Sequence, residues 1–304
     1  MSLIEMSVNL GGVRMKNPVT VASGTFGYGY EYADLVDITA LGAVTVKGVR
    51  NQPWPGNELP RHVEVPGGMV NAIGLQGPGV DGFIESYMPF LREKGVPVIV
   101  NIWGTDIEEY CEVARKLSDV PGVAGLELNI SCPNVKEGGN AFGTDPAVVA
   151  ALVRAVRAVT ALPLIPKLAP NVPDITVFVR AAQESGADAI ALINTIPAMV
   201  IDIESRRPVL SNKVGGLSGA AIHPVAVKLV WEAARVAQVP LLAMGGVVSA
   251  KEAIEFMIAG ATAVAVGTAN FIDPSTPLRV IAGIREYLER HAMHSVAELT
   301  GSLI

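Results

Sequence analysis

Ser185-Gly186-Ala187-Asp188-Ala189-Ile190-Ala191-Leu192-Ile193-Asn194 decides the fold. Gly186 stands where a helix C-cap glycine stands, and an apolar run follows it at once. The run has the length of a buried strand rather than of a helix, and it stops at a polar residue. The same junction recurs at Leu41-Gly42-Ala43-Val44 and at Ala259-Gly260-Ala261-Thr262. A helix-end glycine feeding directly into a buried strand, repeated along a chain, marks a βα unit.

Strands are expected at residues 19–22, 43–47, 97–101, 125–130, 164–168, 189–194, 240–244 and 263–266. Helices are expected at 30–38, 80–94, 106–118, 146 onward, 174–186, 224–237, 249–260 and 274–290. Their starts carry cap chemistry: Asp145 before Pro146, Asp174, and Ser249 with Glu252 three residues on. Eight such units predict an α/β (β/α)8 barrel with no linker or domain boundary. Residues 6–19 read as an N-terminal β-hairpin turning at Gly11-Gly12, a plug for one end of the barrel. Long loop insertions follow strands 2, 4 and 6, at about 50–79, 135–144 and 195–222.

The 304 residues carry 23 Lys and Arg against 29 Asp and Glu, a net charge of −6. No basic cluster interleaves with aromatics, which argues against nucleic acid. Half the residues are apolar, yet no uncharged apolar run reaches membrane-span length, and Met1-Ser2-Leu3-Ile4-Glu5 lacks the pattern of a signal peptide. Cys111 and Cys132 make no disulfide framework, so a reducing cytoplasm is expected.

In such a barrel the C-terminal strand ends meet on one face. Read in order they are Ser23, Lys47, Asn101, Asn129 with Cys132, Lys167, Asn194, Gly245-Gly246 and Gly267-Thr268. Buried lysine is costly without a partner, so two lysines and three asparagines at one face point to a ligand. The glycines after strands 7 and 8 suit a phosphate approached by backbone N–H groups. The lysines suit an anionic planar ring, on which Lys47 or Lys167 would stabilise negative charge. The asparagines both donate and accept in one plane, as a heterocycle edge requires. His62, His223, His291 and His294 are scattered, and no metal-ligand spacing is present. Cys132 is the best candidate base, because a thiolate near two lysines has a depressed pKa. Cys111 belongs to the core.

Asn129-Ile130-Ser131-Cys132-Pro133-Asn134, followed by Gly143-Thr144-Asp145-Pro146, resembles the catalytic subunits of class 1B dihydroorotate dehydrogenases. Asn71-Ala72-Ile73-Gly74-Leu75, Gly215-Gly216-Leu217-Ser218-Gly219 and Ala243-Met244-Gly245-Gly246 agree with that family, so the resemblance runs over the whole chain. It implies that residues 1–304 form a single FMN-binding barrel that oxidises dihydroorotate to orotate in pyrimidine synthesis. It implies that Cys132 takes the C5 proton while hydride leaves C6 for flavin N5. Lys47 would touch both flavin and the substrate carboxylate. Asn71, Ala72, Ile73, Gly74, Leu75, Asn129, Asn194 and Thr195 would bind substrate. FMN would be held by Ser23, Lys47, Gly48, Asn101, Asn129, Lys167 and Ile193, and by Gly219, Gly245, Gly246, Gly267 and Thr268. The resemblance further implies a homodimer of this chain within a heterotetramer, whose partner subunit carries FAD and a [2Fe–2S] cluster and passes electrons to NAD. Nothing in this chain encodes those two groups.

The sequence leaves three alternatives. A class 1A homodimer would use fumarate. An aldolase-type barrel would form a Schiff base at Lys167 or Lys47. A phosphate-binding barrel without catalysis would leave Cys132 beside Asn129 without a reason.

Overall fold

The structure is a computed structural model that describes residues 4–130, 136–137, 140–141 and 143–304. Eight strands form one sheet: Val19–Val21, Val44–Val49, Val98–Ile102, Val123–Asn129, Leu164–Leu168, Ile190–Leu192, Leu241–Met244 and Ala263–Val266. From the second strand to the eighth, each pairs in parallel with the next, and the eighth pairs with the first. The remaining seam, between strands 1 and 2, is joined by side chains and a backbone bond just before strand 2. Thr20 Oγ1 donates to the Ala43 carbonyl at 2.9 Å and lies 3.1 Å from Thr45 Oγ1, while Gly42 N donates to Val19 O at 2.9 Å. An α-helix follows every strand but the first, and the expected (β/α)8 barrel results.

Alternation at period two sorts each strand's residues between the barrel interior and the helix layer. Ile190 and Leu192, Val264 and Val266 pack outward in the main core, whereas Ala189, Ala191, Ala263 and Ala265 line the interior. Ile99 and Ile165 lie in the same interior cluster. Two residues further up those strands, on the same face, stand Asn101 and Lys167. Along strands 3 and 5 the interior is thus apolar below and polar at the C-terminal end, while Thr20 and Thr45 place a hydroxyl pair inside strands 1 and 2.

The hairpin Val8–Leu10 with Val13–Met15 closes the lower end, as expected. Its Leu10, Val13 and Met15 are buried against Ile99, Ile165 and Ala189.

Several expectations need correction. No α-helix forms over residues 30–38, where short 3₁₀ turns stand at Tyr30–Tyr32 and Ile38–Ala40. Side chains compete with the helix there: Glu31 accepts from Tyr28 N, Asp37 accepts from Thr39 N and Oγ1, and Phe26 stacks on Tyr32. Gly42 therefore caps no helix; a Cβ there would collide with the Asn17 carbonyl. The helix expected at 80–94 is two, Gly79–Ser86 and Met88–Lys94, with Pro89 in the first turn of the second, where its missing N–H is harmless. Strand 2 does not end at Lys47. It runs to Val49 with a register break between Val46 and Val49, so Lys47 and Gly48 form a bulge.

The insertions after strands 2 and 6 build one antiparallel sheet of His62–Val65, Gly68–Asn71, Val214–Ser218 and Ile196–Met199. Asn71 pairs with Gly216, and Gly216 with Pro197. Among the described residues, no helix is long and apolar enough to cross a membrane.

Candidate active site

The polar upper layer of the barrel centres on strands 3, 4 and 5. Glu127, fully buried, accepts a hydrogen bond from Asn101 Nδ2 at 2.6 Å and pairs with Lys167 Nζ at 3.7 Å. Lys167, 5% exposed, also donates to Ser23 Oγ at 3.3 Å across the barrel. Asn129 stands beside Lys167 in the strand register and is held from behind, where buried Tyr110 donates its hydroxyl to the Asn129 carbonyl at 2.6 Å. Asn101, Asn129, Lys167 and Ser23 therefore meet at one place, as expected.

The polar strand ends do not by themselves point to Glu127, although the sequence carries a signal for it. It is the charged residue of an otherwise apolar strand and lies two before Asn129, hence on the same inward face. Ser218 was missed too; its Oγ accepts from Thr268 Oγ1 at 2.7 Å and ties strand 8 to the inserted sheet.

At strands 6 and 7, Ile193 N donates to Met244 O and Asn194 N to Leu168 O. The Leu192–Ile193 peptide is cis. Gly245 and Gly246 have φ of 129° and 72°, which favours glycine. A Cβ on Gly246 would stand 2.7 Å from His223 Cβ and 2.9 Å from Gly219 O, so this turn leaves no room for a side chain. Behind them His223 places Nδ1 2.9 Å from Gly245 O and Nε2 2.7 Å from a Glu255 carboxylate oxygen.

The inserted sheet brings Asn71 and Thr195 together around Gly216. Asn71 Nδ2 donates to Gly216 O at 3.4 Å, and a Cβ on Gly216 would overlap the Thr195 side chain. Ala72 and Ile73 are fixed by backbone bonds: Ala72 N donates to Arg61 O, and Ile73 O accepts from Asn57 N. Gly74 packs on Asn57, and Leu75 takes a φ of 58°, a strained conformation for a bulky residue. Cys132, the expected base, lies outside the described residues.

Burial pushes the Lys47 amine below its ordinary value; Arg61 pushes the same way and Glu31 opposes. The folded chain thus disfavours the proton that Lys47 carries when unfolded. Stability is reduced below the lowered value and recovered as pH rises through the window up to the ordinary lysine value. Lys47→Met is expected to stabilise the protein free of bound molecules at neutral pH, because an apolar side chain carries no cost of desolvating a charge there. Urea unfolding should show the difference narrowing as pH approaches the lysine range; a less stable variant would refute the assigned strain.

The residues fit a flat hydrogen-bonding ring with an anionic tail. Asn129 Oδ1 and Glu127 Oε2 are buried with no hydrogen-bond partner among the described residues. A buried acceptor without a donor is destabilising, and ring N–H groups would relieve it. The cradle lies beside the last strand, where a Cβ on Gly267 would approach only Ala22 Cβ, at 3.6 Å, among the described residues. No group of three or more His, Cys, Asp or Glu able to hold a metal occurs among the described residues.

A family model described as dihydroorotate dehydrogenase matches residues 5–288. A protein of Alkaliphilus metalliredigens (strain QYMF), described as dihydroorotate dehydrogenase B (NAD(+)), catalytic subunit, is 54% identical over 303 residues, covering 100% of both chains. Proteins with the same description from Pelobacter propionicus and Citrifermentans bemidjiense are 53% and 52% identical over 299 residues, each covering 98% of both chains.

Proposed function

The chain belongs to the dihydroorotate dehydrogenase family, and from that premise we propose that it oxidises dihydroorotate to orotate in pyrimidine biosynthesis with FMN as its cofactor. What supports the flavin is the polar layer of Lys167, Glu127, Asn101 and Asn129, whose buried acceptors call for a ring bearing donors. Bound FMN supplies a two-electron acceptor for the hydride that leaves C6 of the substrate.

The remaining chemistry belongs to the residues of this chain. Ser23, Gly48, Asn101, Asn129, Lys167 and Ile193 would seat the ring, with Lys167 opposing the negative charge that builds on it. Gly219, Gly245, Gly246, Gly267 and Thr268 would hold the phosphate through backbone N–H groups and one hydroxyl. Asn71 to Leu75, Asn194 and Thr195 would orient the substrate, and Lys47 would meet its carboxylate. Cys132 would remove the proton from C5.

The relatives' description as catalytic subunits that use NAD(+) supports a partner. We assign that partner FAD and a [2Fe–2S] cluster, and place two copies of this chain in a heterotetramer.

The test is spectroscopic. The purified chain should be yellow, and dihydroorotate added without oxygen should bleach it. A flavin spectrum unchanged by dihydroorotate would remove the substrate. A colourless chain that cannot be reconstituted would remove the cofactor.

A further inference from the structure

Glu127 has no assigned part in the scheme above, yet it is the fully buried carboxylate of the barrel interior's polar layer. Its position is not explained by stability. Replacing a buried ion pair with well-packed apolar residues is often neutral or stabilising. Its register partner Ile165 and the neighbouring interior residues Ile99 and Ala191 are apolar and fully buried. A carboxylate there has to do something that an apolar side chain would not.

Two of its contacts face the ring site. An ionised carboxylate only accepts, so its 2.6 Å contact fixes which way the Asn101 amide points. Nδ2 is turned inward and Oδ1 outward, beside Gly48, where a side chain's first carbon would stand 3.0 Å away. Glu127 also flanks the Lys167 ammonium at 3.7 Å, while Ser23 accepts from the same nitrogen at 3.3 Å. One carboxylate therefore orients an acceptor from strand 3 and a donor from strand 5 on the same wall.

Resting on the flavin reading, we propose that Glu127 is a positioning residue for FMN. It presents Asn101 as acceptor and Lys167 as donor, and its own charge disfavours the reduced form of the ring. Flavin that takes up two electrons and one proton gains a negative charge. A carboxylate in a poorly solvated interior opposes that gain, while Lys167 favours it. Glu127 thus keeps the ring's electron affinity below what Lys167 alone would set, which suits a cofactor that must pass its electrons on.

Two substitutions separate these effects. Glu127→Gln keeps the shape and an acceptor for Asn101 but removes the charge. Glu127→Ala removes both. Oxidised FMN titrated into the apoprotein should bind Glu127→Gln within about threefold of the parent, and Glu127→Ala at least about tenfold more weakly. In both variants the preference for reduced over oxidised FMN should rise about tenfold, which raises the two-electron midpoint potential by roughly 30 mV. Thermal unfolding of each apoprotein checks folding, and the potential decides in whichever variant folds. A midpoint potential equal to the parent's, with FMN bound, overturns the proposal whatever the affinity. A parent chain that binds no FMN overturns the flavin reading, and this proposal with it.

Discussion

Cys132→Ala is expected to keep its FMN and its yellow colour while its reduction by dihydroorotate slows at least about 10²–10⁴-fold, the usual contribution of a general base. The prediction follows from the motif Asn129 to Asn134 and from what else is at hand. The Glu127 carboxylate is sunk in the barrel interior, with Asn101 and Lys167 both on its Oε1. His223 is turned to Gly245 and Glu255, and His62, His291 and His294 are on the exposed surface. Anaerobic stopped-flow mixing with dihydroorotate reads the rate directly. A parent-like rate would strip Cys132 of the role. Cys132→Ser, a poorer base of similar size, should fall between the two.

Arg50→Met is expected to lower folding stability by about 3 kcal/mol, the low end for breaking a buried pair from one side. The Arg50 guanidinium lies over the rings of Trp54 and Trp103, at 5.0 and 4.8 Å, and pairs with Glu109 at 2.7 Å. Both side chains are nearly withdrawn from water, at 14% and 10% exposure. Desolvation pushes the Glu109 carboxyl up, but hydrogen bonds from Arg50 and Thr105 outweigh it, so its pKa lies below the ordinary value. In the parent, Glu109 therefore adds stability above the ordinary carboxylate range and loses it as pH falls through the lowered value. In the variant the carboxylate is stranded, and protonating it brings relief. Denaturant curves at neutral and mildly acidic pH should show the two proteins drawing closer as pH falls. A constant gap would mean that the aromatic stacking, not the charge, carries the effect.

The strand ends were legible because burial and alternation constrain them together. Ile99 and Ile165 are inward, so Asn101 and Lys167 two residues on had to be inward as well. The same rule reaches Glu127 from Asn129, yet a lone charge inside an apolar run gives no hint of its partners until the strands are laid side by side. Residues 30–38 misled because their apolar spacing is helical while Asp37 and Glu31 bond locally instead. The pairing of Asn71 with Gly216 joins segments 145 residues apart, and no local pattern specifies it. The role of Cys132 rests on resemblance, since its segment lies outside the described residues.

That pairing has a consequence for inheritance. The strand Gly68–Asn71, which leads into the proposed substrate segment, lies between His62–Val65 from its own insertion and Val214–Ser218 from the other. Neither insertion can be exchanged with a distant relative alone, because the guest would meet a foreign edge and leave a strand's N–H and C=O groups unmatched. The two loops form a single heritable unit split across the gene. Recombination that separates them would be punished even where every residue proposed to touch substrate is kept, so a library for altered substrate choice should shuffle residues 50–79 and 195–222 as one cassette.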